Sequence, residues 1–360
     1  LGVVVSRLHS QALDRNRPLW ELHMIEGLER GRFAIYVKVH HALVNHVTGL
    51  PVLLSTLARS ARQRDALPLW SRPLSDAPEP VTESEAWWQD FSGNASSFGQ
   101  AASGLLRGVF SRNKTGGFAL PRGAPASTLN RRINAQRRVA TQSFTRDQIE
   151  QLAKATDSTV NEILTYLCGS SLRRFFKEYN ALPDESLIGV IPVSLQERSQ
   201  RFSGNAIAGV AVSLGTNVGN PEARLESVKE SIQKVRDDQA SLPHEAVTPY
   251  VMMRAAPLYL SQMSSLGRLV PPMFNLTVSH TEASDEPLFL DGSRLEAIYP
   301  LSSLMQFSAL SIDCVSYADT LNIGFTGARD TLPHLQRMAV YFGKAVQDLE
   351  ELVYSEEGVQ

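Results

Sequence analysis

His40 and His41 are the residues whose type and spacing could do chemistry; the other six of the eight histidines stand singly. The pair follows the alternating run Arg32-Phe33-Ala34-Ile35-Tyr36-Val37-Lys38-Val39, which predicts a half-buried strand. Both histidines therefore fall where a strand ends and a turn begins. Successive strand side chains point to opposite faces, so only one of the two can face a given cleft. An imidazole titrates near neutrality and can take a proton from a hydroxyl as that oxygen attacks a thioester, with no covalent enzyme intermediate. On spacing alone, a structural pair accounts for these residues as well as a general base does.

Other chemistries have less support. Cys168 lies in an apolar helical run and reads as packing. Ser170, Ser171, Ser279 and Ser284 lack a nucleophile-elbow pattern, and Gly116-Gly117 and Gly204 lack the spacing of a phosphate loop. No His-x-x-x-His or Cys-x-x-Cys spacing occurs, so no metal is expected. The 35 basic and 37 acidic residues leave a net charge of −2, which excludes a generally basic nucleic-acid binder. With 43% apolar and 20% charged residues, wholesale disorder and coiled-coil designs are excluded too. Two cysteines give no disulfide framework and fit a reducing compartment. No apolar run reaches the roughly 18–20 residues of a membrane span. The opening Leu1-Gly2-Val3-Val4-Val5 has neither an initiator Met nor a basic leader, so the sequence reads as a piece of a longer chain and not as a signal peptide.

The elements that must position the histidines can be read on both sides of them. At about 150 residues per domain, 360 residues suggest two or three domains. Helical spacing runs from Val4 to Leu13 and again through Val47, Leu50, Leu53, Leu54 and Leu57. Residues 64–130 read as a long crossover punctuated by Pro68, Pro73, Pro78 and Pro80. Between Ala101 and Ala140 lie eight basic residues, Arg131, Arg132, Arg137 and Arg138 among them, and no acidic one. A solvated connector and an electrostatic landing zone for an anionic cofactor or lipid headgroup are both open there.

Beyond 143 the periodicity strengthens. Ser143 and Asp147 are expected to cap a helix to Thr156, and Thr159 to open another through Phe176. Strands are expected at 187–193, 206–214, 274–279, 309–315 and 321–325, and helices at 221–240 and 332–353. Strands and helices mix without a fixed repeat, giving an α/β or α+β class. From Ala246 to Thr281 the only full charges are Arg254 and Arg268, and the stretch holds four of the seven methionines. Core burial, an acyl-chain tunnel and a membrane-facing surface all fit it.

His40-His41-Ala42-Leu43-Val44-Asn45 resembles the His-His-x-x-x-Asp-Gly motif of the CoA-dependent acyltransferase superfamily. Pro18-Leu19-Trp20, Val160-Asn161, Ile191-Pro192-Val193-Ser194, Pro287-Leu288-Phe289, Leu295 to Pro300 and Leu321 to Phe325 narrow the resemblance to the bacterial wax ester synthase/diacylglycerol acyltransferases. It covers essentially the whole chain in order.

The resemblance implies an α/β, two-subdomain, chloramphenicol-acetyltransferase-like fold, divided as residues 1–64, a crossover over 65–140 and a second subdomain over 141–360. It implies an O-acyltransferase that uses acyl-CoA as co-substrate, binds no cofactor, and esterifies a fatty alcohol or diacylglycerol. By the same resemblance His41 is the general base and His40 shapes the site. Pro18, Leu19 and Trp20 form either a turn with a buried indole or a substrate contact. Asn161 matches the Asn of an Asn-Asp motif, and Asn275 begins the segment leading into an Asn-Val-Pro-Gly-Pro motif. The basic 101–140 region, with Arg131, Arg132, Arg137 and Arg138, is the candidate for the CoA phosphates. A cytoplasmic location is implied, with peripheral association at the inner face of the membrane or a lipid droplet, no nucleic-acid partner, and a homodimer left open.

Four departures bear on activity. The motif Asp is Asn45, the Gly after it is His46, the Asn-Asp motif reads Asn161-Glu162, and the rigid Asn-Val-Pro-Gly-Pro turn has become His280-Thr281-Glu282-Ala283-Ser284. They admit two alternatives: an impaired lipid- or acyl-CoA-binding paralogue, or an acyltransferase fed by a carrier protein. His46 and His280 are secondary candidates for the base.

Overall fold

The computed structural model describes residues 1–44, 49–64, 123–194, 207–240 and 272–357. The Asn45-His46 segment, most of the crossover and the greater part of the methionine-rich stretch lie outside the described residues.

The N-terminal unit is small. Helix α1 (Gly2–Ser10) precedes a hairpin of β1 (Trp20–Ile25) and β2 (Ala34–Val39), and α2 (Gly49–Leu54) comes after the histidines. The hairpin register pairs Trp20 with Val39, Leu22 with Val37 and Met24 with Ile35, so one face is wholly apolar. The other face turns Tyr36 onto Val5, Val139 and Leu301.

The larger body is a six-stranded mixed sheet. Its strands are β3 (Arg137–Thr145), β4 (Ile188–Ser194), β5 (Ile207–Ser213), β6 (Leu276–Ser284), β9 (Leu310–Tyr317) and β10 (Thr320–Ala328), in the order β3-β10-β9-β6-β4-β5. β6 is parallel to both of its neighbours, and the remaining pairs are antiparallel. A short ribbon of β7 (Phe289–Leu290) and β8 (Ser293–Arg294) joins β6 to β9 and bridges to Ala58. Helices α3 (Arg146–Ala155), α4 (Val160–Glu178), α5 (Pro221–Ala240) and α6 (Gln336–Glu357) complete the body.

The sheet has two chemically different faces, as strand alternation allows. Leu276, Val278, Ile312, Cys314, Ile323 and Phe325 form the main core with α3, α4, α5 and α6. Gly169 permits a close approach of α4, since a Cβ there would lie 1.9 Å from the Leu214 carbonyl oxygen. The opposite face carries Ser143, Asn322, Thr326, Ser311, Asp313, Thr277 and Ser279. Residues 299–302 cross this polar face: Tyr299 hydroxyl meets Ser143, and the Pro300 carbonyl lies against Gly324.

Three sequence expectations need correction. Ser143 is a strand residue whose hydroxyl donates to Asn322; Thr145 is the cap of α3, accepting from the Gln148 N–H, with Asp147 in the first turn. Residues 280–284 are not a turn. Without the prolines they continue β6, with a register irregularity between Glu282 and Ser284. The division expected between residues 140 and 141 falls inside β3, which begins at Arg137.

Candidate active site

β2 ends at Val39, and one further ladder bond fixes the next residue: the His40 N–H donates to the Leu19 carbonyl at 2.9 Å. Leu19 of the Pro18-Leu19-Trp20 segment is therefore the ladder partner of His40, a link that sequence spacing left open. Trp20 itself is 40% exposed, so the expected buried indole is not found. The chain then turns, with the Leu43 N–H on the His40 carbonyl. His40 is half-buried, and its Nδ1 accepts from the Ala42 N–H at 3.1 Å, which leaves the proton of the neutral ring on Nε2. His41 is exposed at the turn. The His40 imidazole is thus tied into the turn, and His41 stands beside it at the surface.

Asn161 and His280, singled out in separate motifs, touch each other. His280 Nδ1 lies 2.9 Å from Asn161 Oδ1, and Nε2 lies 2.8 Å from Ser316 Oγ. Burial holds the His280 pKa below its ordinary value, with Glu282 and Arg146 acting in opposite directions. Beside Asn161, Glu162 has a clear local task. Its Oε2 accepts from the Thr159 N–H at 2.8 Å while Thr159 Oγ1 accepts from the Glu162 N–H, a reciprocal capping box. Its other oxygen meets Arg236 at 3.4 Å.

His280 lies on the helix-covered face of the sheet. The elements flanking His41 pack on the opposite face: Tyr36 of β2 through Val139 and Leu301, and Leu50 and Leu54 of α2 on Ala283, Val315 and Tyr317. His280 is thus remote from the setting expected of a replacement base. Asn275 is fully buried and structural: its Oδ1 accepts from the Ile188 N–H, and its Nδ2 donates to the Pro125 carbonyl and Asn130.

The four arginines do not converge. Arg131 and Arg132 are exposed in the segment before β3, whereas Arg137 and Arg138 are adjacent on that strand and point to opposite faces. Arg137 donates to the carbonyls of Asn134 and Gln136. Among the described residues no group of three or more His, Cys, Asp or Glu could hold a metal ion. No helix among them is long and apolar enough to cross a membrane.

Sequence reasoning missed Asp313. It is buried on the polar face and takes hydrogen bonds from Ser279 Oγ at 2.6 Å and from Ser311 Oγ at 2.8 Å, with Ser302 beside it. Burial pushes its pKa up while these donors pull it down. The Ser302 carbonyl meets His9 Nε2, and His9 Nδ1 meets the Tyr36 hydroxyl, so the polar face is wired to the N-terminal unit. Burial raises the Tyr36 pKa to about 12 and lowers that of His9. The alternation Leu310-Ser311-Ile312-Asp313-Cys314 was the signal available for this face.

A hairpin that ends in a histidine pair and packs Tyr36 on the polar side of a mixed sheet belongs to an α/β fold of the acyltransferase kind. The chain belongs to the wax ester synthase/diacylglycerol acyltransferase family: the catalytic-domain model of that family matches residues 1–164 and its C-terminal-domain model residues 203–350. It is an enzyme of that type. A wax ester synthase/diacylglycerol acyltransferase from Marinobacter aquaeolei VT8 superposes with a TM-score of 0.77 at 28% identity, over 98% of this chain and 76% of that one. A Mycobacterium tuberculosis H37Rv protein, provisionally named a diacylglycerol O-acyltransferase, is 37% identical over 97% of this chain and 77% of its own length. A condensation domain of the enacyloxin polyketide synthase shares the fold alone, with a TM-score of 0.50 at 12% identity, over 93% of this chain and 60% of that one.

Proposed function

We propose that the chain transfers a long-chain acyl group from acyl-CoA to the hydroxyl of a fatty alcohol or a diacylglycerol, with His41 as general base. The acceptor oxygen attacks the thioester carbonyl as its proton passes to the imidazole. A C–O bond forms, the C–S bond breaks, and the CoA thiolate leaves and is protonated. The observation that carries this reading is the exposed position of His41 in the turn just after β2, a turn fixed by the bonds of His40 to Leu19 and Ala42. We place the enzyme at the inner face of a membrane or on a lipid droplet, where such substrates reside.

The test is CoA release from palmitoyl-CoA, with hexadecanol or dioleoylglycerol as acceptor, comparing the wild-type chain with His41→Ala. Acceptor-dependent release should fall about 10²- to 10⁴-fold in the variant, the usual contribution of a positioned base. Equal release by both proteins, or none by the wild type while it still binds palmitoyl-CoA, refutes the reading and leaves a binding protein.

A further inference from the structure

Three hydroxyl protons on the polar face are spoken for. Thr277 Oγ1 donates to Ser311 Oγ at 2.8 Å, Ser311 donates to one oxygen of Asp313, and Ser279 donates to the other at 2.6 Å. Ser302 stands beside the same carboxylate and favours its charged form. Thr277 and Ser279 are half-buried, two residues apart on one face of β6. Their protons point inward, so toward solvent each oxygen can only accept. Their spacing along the strand is about 6.5–7 Å. Opposite Ser311 on β10, buried Thr326 has a hydroxyl with no hydrogen-bond partner among the described residues.

We infer that Thr277 and Ser279, polarised by Asp313, form a subsite for a lipid acceptor that carries more than one free hydroxyl, of the monoacylglycerol kind. A paired acceptor site recognises donors and has nothing to offer a carbonyl or an ester oxygen. A polyol head can place one hydroxyl at the reacting base and spend another on β6; a simple alcohol cannot. The face is the one on which Tyr36 and α2, the neighbours of His41, are seated. This assignment rests on the acyl-transfer reading for its role in catalysis, though not for its binding.

The experiment compares kcat/KM for monooleoylglycerol and for hexadecanol, with palmitoyl-CoA as donor, in wild type, Thr277→Val, Ser279→Ala and Thr277→Ser. Each of the first two variants should lose monooleoylglycerol activity about three- to tenfold more than hexadecanol activity, the effect of one hydrogen bond. Thr277→Ser keeps the hydroxyl and should keep the wild-type ratio. A wild-type ratio in Thr277→Val overturns the subsite. Should the wild type transfer acyl groups to no acceptor, the acyl-transfer reading fails, and monooleoylglycerol binding in detergent micelles decides the subsite alone. Weaker binding by Thr277→Val then supports it, and equal binding overturns it.

Discussion

Glu162→Ala removes the acceptor for the Thr159 N–H and the partner of Arg236 together. The first bond is 2.8 Å long and its acceptor is a carboxylate only 8% exposed, so its loss strands a donor at the start of α4. A hydrogen bond to a charged group contributes about 1.5–3 kcal/mol. The pair with Arg236 adds little, because that guanidinium is 48% exposed and screened by water. The expected loss is therefore about 2 kcal/mol. Glu162→Gln keeps an oxygen for the Thr159 N–H and should lose about 1 kcal/mol or less. Urea unfolding followed by circular dichroism measures both through their midpoints at constant slope. Thr159→Ala, which removes the other half of the box, should cost about 1 kcal/mol. Its combination with Glu162→Ala should cost less than the sum, since the two groups share one structure. A wild-type midpoint for Glu162→Ala, or an equal loss in Glu162→Gln, would refute the capping account and leave this motif position without a structural role.

Acidification should weaken the fold through its buried imidazoles. His9 and His280 both have pKa values held below 6.5 by burial, so beneath pH 6.5 the unfolded chain takes up protons that the folded one refuses, and stability falls as pH drops. Asp313, with a raised pKa, acts in the opposite sense, so the quantity to read is the difference between wild type and His280→Gln. The variant should show the shallower loss between pH 7 and pH 5.5 in urea titrations, and a steeper loss would reverse the sign of the argument. Two glycines should respond in opposite directions to Ala. A Cβ on Gly324 would sit 1.7 Å from the Pro300 carbonyl oxygen and should cost about 3 kcal/mol or more, whereas at Gly343, within α6, the nearest neighbour is Gln142 Nε2 at 3.5 Å, and Ala should stabilise by about 0.5–1 kcal/mol. Urea midpoints decide both.

Much of this fold could be read from residues. Periodicity located α1, β2, α4, α5, β9, β10 and α6 to within a few residues; α4, α5 and α6 each bury a face in the main core, and β9 and β10 are buried along nearly their whole length. β3 was overlooked because Arg137-Arg138 and the hydroxyl residues after them make a polar alternation; half of that strand faces a polar layer. The histidine pair was legible because strand and turn signals meet there. Its tie to Leu19 was not, since a ladder bond between residues 21 positions apart leaves no mark in spacing. The 280–284 segment was read through the family's prolines, and once those are absent nothing stops β6 from running on. Asp313 escaped notice because a lone acid in an apolar run has no sequence pattern that announces its three serine partners.

The two-faced sheet separates what natural selection can alter from what it must keep. Along β6 the even-numbered residues Leu276 and Val278 carry the packing, while the odd-numbered Thr277 and Ser279 carry the hydroxyls. A substitution at an odd position leaves the packed layer in place and removes a hydrogen bond from the Asp313 network. One strand therefore encodes two traits in interleaved form, packing on one side and a hydroxyl network on the other.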